Sequence, residues 1–574
     1  MRRRWGLLGL LVLAACAGGP DDDTSKLNQD ECSNVTKDFT SHRSQDSATP
    51  STLPPEAADG RESVIIRYRQ GAGVSAASVR RLGGQVKAQY RFVPAVAARV
   101  TPEERARLAA DPSVERIEPD LELRPLGIPS AVGSVEEYTD SLRLVQAPQV
   151  WDANEDGVLD PGAPTGAGIR VCIIDSGIDP RHPELAIPYA GGHDFVDDDD
   201  DPSDRTEDVW GIGHGTHVAG IVAAQLGVGG ATYPDMNAGG MVGVAPGAEL
   251  LIARVLNVQE RASVSNVLRA LEWCQKSGAN IASLSLGSPA NMGRTAQEAF
   301  QAAQNAGMLI IAASGNDSSP DREAPISFPA AFSSVLAVGA VDTHEEVASF
   351  SNRGDGLSLV APGVDVLSSV TRQGVTVSEL DAEGQQYSSR SLFFAPAGEY
   401  TGTLVDCGLG ESGGCKGGTC DGFVAYVRLT PGYSPTRLTL NVMKQGAKAV
   451  IFGTDQSDSQ PWQFALEGPG KHWVPTLAVG RESRGAVLRN LGKQVHVNLR
   501  GVDYAYFPGT SMAAPHVTGV AALVWSANPS LKASEVRELL VSTAKDLGEK
   551  GKDPRYGHGL VQAKAALDAL KQRP

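Results

Sequence analysis

The sequence predicts an α/β fold: a parallel sheet with helices on both faces, preceded by a small α+β module and interrupted by a β-rich insertion. From about residue 142, apolar strand-like runs alternate with helical stretches. Strands that are apolar throughout are typical of parallel sheets covered on both faces. After residue 363 this alternation is interrupted by an interval far longer than a normal loop, which predicts a domain of its own.

The strands and helices of the sheet can be placed individually. The predicted strands are residues 169–175, 250–255, 281–285, 309–313 and 335–341, and helical stretches between them include 263–277 and 295–306. In sheets of this kind the active site gathers at the carboxyl ends of the strands. We therefore expect the functional residues of the unit 142–570 to follow its strands.

Two further segments have patterns of their own. Residues 62–123 predict a small α+β module, with strands at 64–68, 85–92 and 114–120 and helices at 75–82 and 102–110. Thr101, followed three residues later by Glu104, predicts a capped start for the second helix. The insertion, residues 375–500, contains candidate strands at 423–429 and 449–453 and a helix at 438–445.

Composition and charge restrict the function classes. The chain has 574 residues, 41% of them hydrophobic, so a large core can form. Its formal net charge is -16, and no basic face is visible, which argues against a nucleic-acid partner. Apart from the extreme N-terminus, no segment is apolar enough to cross a membrane.

The N-terminus predicts export. Three arginines precede a short apolar run that ends at Cys16 in Leu-Ala-Ala-Cys, which resembles a bacterial lipobox. Residues 1–16 are therefore predicted to be a lipoprotein signal peptide, with an ordinary signal peptide as the alternative. The polar residues 17–61 predict a disordered tether. We expect a secreted protein or one held in the cell envelope by a lipid on Cys16.

The cysteine count is compatible with an oxidising compartment. Of seven cysteines, six remain if Cys16 carries a lipid. One bridge is expected within the trio Cys407, Cys415 and Cys420. Cys172 and Cys274 either form a pair or remain buried thiols.

Three blocks carry residues suited to nucleophilic catalysis. Asp175 ends a buried strand, His214 leads into an apolar helix, and Ser511 opens another helix. A serine hydroxyl needs a base to become a nucleophile, and an imidazole can take its proton and pass it to the leaving amine. A carboxylate orients the imidazole and stabilises its charged form. Ser511 is therefore the predicted nucleophile, His214 the base and Asp175 the orienting acid.

These blocks, in the order Asp, His, Ser, resemble the subtilisin-like serine proteases. That chain order is the one described for subtilisin itself. The resemblance implies that the Asn316 side chain stabilises the oxyanion and that Ser285, Leu286 and Gly287 form a substrate-binding edge, where an extended peptide adds as a strand. Residues 62–123 resemble the family's propeptide, and 375–500 resemble a protease-associated domain.

Possible metal ligands are also present. Asp152, Asn154, Asp156 and Asp160 match part of a calcium loop, although the twelfth position is Ala163. The alternative is a polar turn. Asn237 resembles part of the family's calcium-binding loop, and Glu184 stands where the family usually has an Asp ligand. His217 could pair with His214 on a metal, but a packed structural histidine is the favoured reading, as it is for His516.

The implied function is a serine endopeptidase that acts on proteins through an acyl-enzyme and is made as a precursor. Its propeptide would be a partner, removed by a cut near 121–140. Because the lipid would lie on the propeptide side of that cut, maturation could release the enzyme. The alternatives are an esterase with the same triad and an inactive peptide-binding protein. Ala513 stands where the usual esterase signature has glycine.

Overall fold

The computed structural model describes most of the chain after residue 59. The described residues are 60–125, 137–204, 213–232, 239–257, 261–392, 394–430, 432–457, 466 and 473–573. The predicted signal peptide, nearly all of the tether 17–61 and Asn237 lie outside them. One compact unit combines the described residues up to Val377 with those from Arg500 onward, and the other is Ser378–Leu499. No helix in these ranges is both long enough and apolar enough to span a bilayer.

The first unit begins with a four-stranded antiparallel module. Its elements are β1 (Glu62–Tyr68), α1 (Ala76–Arg81), β2 (Gln85–Gln89), β3 (Ala95–Val100), α2 (Pro102–Ala109) and β4 (Val114–Pro119), with sheet order β2-β3-β1-β4. Thr101 and Glu104 form the predicted capping box of α2. The sequence reading missed β3, whose Ala-rich run has weak strand propensity, although it pairs along the whole of β1.

The larger part of the first unit follows this module along the chain. Its elements up to the insertion are β5 (Glu122–Pro125), α3 (Asp140–Leu144), α4 (Pro148–Trp151), β6 (Arg170–Asp175), β7 (Tyr189–Asp194), α5 (His214–Ala223), β8 (Glu249–Arg254), β9 (Ala262–Ser263), α6 (Val264–Lys276), β10 (Ile281–Leu284), β11 (Leu286–Gly287), α7 (Arg294–Asn305), β12 (Leu309–Ala313), β13 (Leu336–Val341), β14 (Leu357–Pro362) and β15 (Val366–Ser369).

Seven of these strands form one parallel sheet, in the order β14-β13-β12-β10-β6-β8-β7. The predicted α/β fold is confirmed, and the central strands are buried from end to end. The sequence reading missed β7 because its two glycines interrupt the strand pattern. Cys172 and Cys274 form a disulfide between β6 and α6.

The second unit is built around its own mixed sheet and core. The remaining elements along the chain are β16 (Val375–Ala382), β17 (Gln385–Tyr387), β18 (Arg390–Ser391), β19 (Gly398–Asp406), β20 (Phe423–Arg428), α8 (Pro435–Lys444), β21 (Ala447–Gly453), β22 (Thr476–Val479), α9 (Arg481–Leu488), β23 (Gln494–Val502), β24 (Tyr504–Phe507), α10 (Thr510–Ala527), α11 (Ala533–Ser542) and α12 (Ala563–Lys571). Strands β16 to β23 form the eight-stranded sheet, and the last four elements return to the first unit.

The disulfides of the second unit are partly visible. Cys407 and Cys415 form the bridge expected within the cysteine trio. Cys420 is also disulfide-bonded.

Candidate active site

Asp175 and His214 form a buried hydrogen-bonded pair. Asp175 is the last residue of β6, and His214 is the first residue of α5. Their Oδ1 and Nδ1 atoms are 2.7 Å apart, and the two side chains are 0% and 1% exposed. The backbone N–H of Ser176 donates to the same oxygen at 2.7 Å. A carboxylate in this position fixes the imidazole tautomer and ring orientation.

Glycines allow α5 to begin directly against the turn that follows Asp175. Gly213 caps the helix with a φ of 77°, a left-handed conformation that favours glycine. A Cβ added at Gly215 would lie 2.2 Å from the carbonyl oxygen of Gly177. Any larger residue at 215 would therefore push His214 away from Asp175.

Ser511 lies in the first turn of α10 and is fully buried. Its Oγ donates to the Ser285 carbonyl at 2.9 Å, and the Ser285 hydroxyl donates to the Ser511 carbonyl at 2.7 Å. The second bond has a clear origin. Pro515, four residues further along the helix, has no N–H to bond the Ser511 carbonyl, which Ser285 bonds instead. This exchange fixes the candidate nucleophile to the start of β11.

Packing also brings the two helices together. Helix α5, which starts at His214, packs against α10, which starts one residue before Ser511, and both pack on β6. The N–H of Ser511 belongs to the first turn of α10, where backbone donors lack helical partners and the helix dipole is positive. It is therefore suited to stabilise a developing negative charge.

Asn316 follows β12 and has a defined amide orientation. Its Oδ1 accepts hydrogen bonds from the N–H and hydroxyl of Thr510, at 3.0 and 2.9 Å. The Thr510 hydroxyl in turn accepts from the N–H of Gly315 at 3.1 Å. Because Thr510 donates twice to the oxygen, the orientation of the amide is fixed, and its NH₂ group is the donor side. The sequence analysis did not single out Thr510, although a hydroxyl directly before the candidate nucleophile could have indicated such a role.

The predicted substrate-binding edge pairs with an extended segment of the same chain. Strand β5 is the middle strand of a three-stranded sheet, antiparallel to β11 on one side and to β9 on the other. Pro125 lies opposite Leu286, and Arg124 lies opposite Gly287. Leu123 is fully buried in the apolar core that also contains Leu286. The edge at 285–287 therefore accommodates an extended peptide.

The neighbouring histidines are structural. His217 Nε2–H donates to the carbonyls of Val366 and Ala505, at 3.1 and 3.0 Å, and the ring stacks on Phe507. Burial lowers its pKa to about 3 and lowers the pKa of His516 to about 4. Both rings are neutral at neutral pH and hold backbone groups. These contacts agree with the expectation that His217 and His516 are packed structural residues.

The region of the predicted calcium loop forms a turn that satisfies its own oxygens. The Asp152 carboxylate accepts from the N–H groups of Asp156 and Gly157, at 3.2 and 3.0 Å, and from the hydroxyl of Tyr138. Elsewhere in the turn, Asn154 donates to Asp156, and the N–H of Ala153 donates to Asp160. Across the described residues, no group of three or more His, Cys, Asp or Glu side chains could hold a metal.

A different pair of acids suits a cation better. Glu184 and Glu137, here called the acidic pair, are 0% and 8% exposed, and burial together with the charge of Glu137 raises the pKa of Glu184. Glu184 Oε1 accepts from Met241 N–H and Tyr504 hydroxyl, but its buried Oε2 has no hydrogen-bond partner among the described residues. Glu137 accepts from Gly227 N–H. An orphaned carboxylate oxygen beside a second acid fits a calcium ion. The sequence reading missed Glu137.

The comparisons with known proteins agree with this geometry. Residues 166–392 and 453–559 match the model of the Subtilase family of peptidases. An alkaline protease of Alkalihalobacillus alcalophilus is 37% identical over 293 residues, which cover 51% of this chain and 66% of that protein. That alignment spans slightly less than two thirds of the relative's length. Subtilisin BL of Lederbergia lenta is 42% identical over 217 residues, covering 38% of this chain and 71% of that protein.

A solved structure shows the same fold. Fervidolysin from Fervidobacterium pennivorans, described as a keratinolytic enzyme related to subtilisin, aligns with a TM-score of 0.55 and 21% identity over 88% of this chain and 61% of that chain. The family match covers more than half of the sequence and includes Asp175, His214 and Ser511. The chain belongs to the subtilase family.

Proposed function

We propose that this protein is a serine endopeptidase that hydrolyses peptide bonds in proteins. Ser511 Oγ attacks the carbonyl carbon while His214 takes its proton. The C–N bond then breaks, His214 gives the proton to the leaving amine, and an acyl-enzyme remains on Ser511. Water, activated by His214 in the same way, releases the acid and restores Ser511. The observation that carries the proposal is the buried 2.7 Å contact between His214 and Asp175 at the sheet edge.

The oxyanion formed in both steps needs donors. The Ser511 N–H lies at a helix start, and the Asn316 amide is turned so that Thr510 holds its oxygen. Two donors of this kind, fixed before the reaction, stabilise the transition state without reorganisation. Apo hydrogen bonds of catalytic groups commonly tighten only when substrate binds. The Ser511 bond to Ser285 is therefore compatible with the proposed attack.

The peptide-binding edge favours proteins over small esters as substrates. An extended segment pairs with β11 and β9 through main-chain bonds, which any unfolded or loop segment can supply. An esterase has no need of such an edge, and an inactive binding protein has no need of the Asp175–His214 pair.

Casein digestion tests the proposal. Purified protein is compared with Ser511→Ala, using a p-nitrophenyl ester as a second substrate. We expect casein hydrolysis by the native protein and none by Ser511→Ala. Hydrolysis of the ester without casein digestion would favour the esterase, and absence of both activities would favour the binding protein.

We also propose that residues 62–123 are a propeptide. Its carboxylates cap two helices of the catalytic unit: Glu118 accepts from Arg294 and Thr295 N–H groups at 2.8 and 3.1 Å, and Asp120 accepts from Ser265 N–H at 2.7 Å. Carboxylates at helix N-termini are stabilising. Together with β5 in the peptide-binding edge, these contacts support a module that covers the cleft before it is removed.

The pairing of β5 with β11 narrows the expected position of the self-cleavage site. Pro125, the last residue of β5, lies opposite Leu286, which directly follows Ser285. The Ser285 carbonyl accepts from Ser511 Oγ. Self-cleavage is therefore expected within the few residues after Pro125. N-terminal sequencing of the mature form checks this: a start before residue 125 or beyond residue 132 would contradict it.

Calcium is proposed as a structural ion. The acidic pair would supply carboxylates, and Asn237, outside the described residues, would be a further ligand. The ion would neutralise two buried acids and thereby tie the loop after α5 to the start of the catalytic unit. No catalytic step depends on it. Asp152, Asn154, Asp156 and Asp160 remain a weaker alternative, because their oxygens already have partners in the turn.

Export and lipid attachment at Cys16 are proposed from the N-terminal sequence. The relatives that the chain matches include an alkaline protease. The cysteines bear on the idea that maturation releases the enzyme. Cys32 lies on the same side of the expected cut as Cys16, whereas the other five cysteines lie after it. If Cys32 formed a disulfide with one of these five, the cut fragment would stay attached until that bridge is reduced.

A gel distinguishes attachment from release. Mature protein is run with and without reducing agent. Retention of the N-terminal fragment only without reductant supports attachment through a disulfide. Loss of the fragment under both conditions supports release, and an uncut chain in both lanes would contradict self-processing itself.

A further inference from the structure

A second carboxylate, that of Asp204, is hydrogen-bonded to residues next to Asp175 and His214 and takes no part in the mechanism proposed above. Asp204 Oδ1 accepts a hydrogen bond from the Ser176 hydroxyl at 2.7 Å. Its Oδ2 accepts from the N–H of Thr216 at 2.9 Å and from the Thr216 hydroxyl at 2.5 Å. Ser176 directly follows Asp175, and Thr216 lies two residues after His214. One side chain therefore joins the backbones that carry both catalytic residues.

The two partners of Asp204 are themselves connected to these backbones. The Ser176 hydroxyl accepts from the N–H of Gly215 at 2.8 Å, and the Thr216 hydroxyl accepts from the N–H of Asp179 at 2.9 Å. Each of the two hydroxyls thus donates to Asp204 and accepts from the opposite segment. The result is a closed network between the turn after β6 and the first turn of α5, with Asp204 as its common acceptor.

The backbone around Asp204 holds it in this position. The N–H of Asp204 donates to the Ile178 carbonyl at 2.8 Å, and the N–H of Ile178 donates to the Pro202 carbonyl at 3.0 Å. Gly177 has a φ of 128°, and a Cβ there would lie 2.5 Å from the Pro202 carbonyl. The segment that carries Asp204 therefore lies in direct contact with the turn after the catalytic Asp.

We propose that Asp204 is a positioning residue for peptide hydrolysis, which sets the distance between Asp175 and His214 by holding Ser176 and Thr216 together. The inference rests on the proposed catalytic roles of Asp175 and His214. The Asp204 carboxylate accepts three hydrogen bonds, so the role of this side chain is to accept. A displacement of about 1 Å between catalytic groups can cost ~100-fold in rate. None of the hydrogen bonds of this network involves the substrate-binding edge at 285–287.

The expected signature is a loss of kcat at constant KM. In Asp204→Ala, all three hydrogen bonds are lost, and kcat per active site should fall about 10- to 100-fold while KM stays within about twofold. Asp204→Asn keeps one accepting oxygen for Thr216, and its NH₂ group can donate to the Ser176 hydroxyl. It should restore kcat to within about fivefold of the native value.

The experiment measures kcat and KM on a chromogenic peptide, with active sites titrated by an organophosphorus reagent. Asp200→Ala is the matched control, because Asp200 is an exposed acid of the same loop that bonds His193 and none of the groups of the Asp204 network described above. Its kcat should be unchanged. If Asp204→Ala does not fold, Thr216→Val removes one donor and should lower kcat about threefold to tenfold at constant KM.

Three results would overturn the proposal. The first is an unchanged kcat per titrated site in Asp204→Ala. The second is a rise in KM with kcat preserved, which would assign Asp204 to substrate binding. The third is an Asn variant as impaired as the Ala variant, which would assign its effect to charge. Absence of reagent labelling in the native protein would instead contradict the proposed function.

Discussion

Two buried acidic regions of the catalytic unit differ in the groups that face their oxygens. Asp175 is fully buried and shares Oδ1 with an imidazole and a backbone N–H. Glu184 is equally buried, but a second acid, Glu137, lies near it, and burial raises its pKa well above the ordinary value. An acid beside an imidazole can stay charged within the protein, whereas an acid beside another acid needs a proton or a cation.

The largest expected effect is the loss of activity when the contact between Asp175 and His214 is disturbed. Asp175→Asn keeps the shape of the side chain but can hold the imidazole in the wrong tautomer. We expect kcat to fall by about 10⁴-fold, the effect of the equivalent change in another Ser-His-Asp protease, with KM little changed. Steady-state kinetics with titrated active sites measure this. A loss below about tenfold would mean that Asp175 does not orient the base.

A smaller effect is expected at the oxyanion donor. Asn316→Ala removes the NH₂ group, and the range for such a donor, taken from subtilisin itself, is ~100- to 1000-fold in kcat. Thr510→Val is the matched variant. It keeps Asn316 but removes the hydroxyl that fixes its amide oxygen, and it should lose less than Asn316→Ala. Equal losses in the two variants would contradict a direct role for the amide.

The acidic pair is expected to affect the stability of the fold through calcium and not to take part in substrate binding. Calcium at about 100 times its dissociation constant would stabilise the fold by ~2.7 kcal/mol. We expect a chelator to lower Tm of the native protein and to have little effect on Glu184→Gln, both measured in the Ser511→Ala background to prevent autolysis. Asp160→Asn is the control from the other acidic turn and should keep the full response. A response lost in Asp160→Asn but kept in Glu184→Gln would move the site to that turn.

The buried histidines should give an effect that appears only as the pH is lowered. His516 has a folded-state pKa of about 4, below its unfolded value near 6.5. Its stabilising contribution is therefore complete above pH ~6.5 and is lost as pH falls toward 4, by up to about 3 kcal/mol. His516→Gln in the Ser511→Ala background should show a weaker fall of Tm over this range. An unchanged pH dependence would mean that His516 is not buried neutral.

The sequence predicted the strands that consist of a continuous hydrophobic run. Buried apolar strands and the residues that follow them can be read from hydrophobic runs, so β6, β10 and β12 were expected close to their observed bounds. Strands without that pattern, such as the Ala-rich β3 and the Gly-containing β7, were missed because pairing partners decide them.

The contacts of single side chains were harder to anticipate. The acidic spacing at 152–160 matches a calcium loop, yet backbone N–H groups and Tyr138 already satisfy Asp152. Glu137 and Asp204 lie in no motif, and only the folded chain brings them to Glu184 and Thr216. Spacing identifies residues that could bind, whereas burial and existing partners decide which of them need a ligand.

The central claim is that an alcohol at 511 is activated by the imidazole at 214. Labelling with an organophosphorus reagent, read by mass spectrometry of the intact protein and its peptides, tests this directly. We expect a single adduct on Ser511 in the native protein and at least a hundredfold slower labelling in His214→Ala, because the base is lost. An adduct on another residue, or labelling of His214→Ala at the native rate, would contradict it.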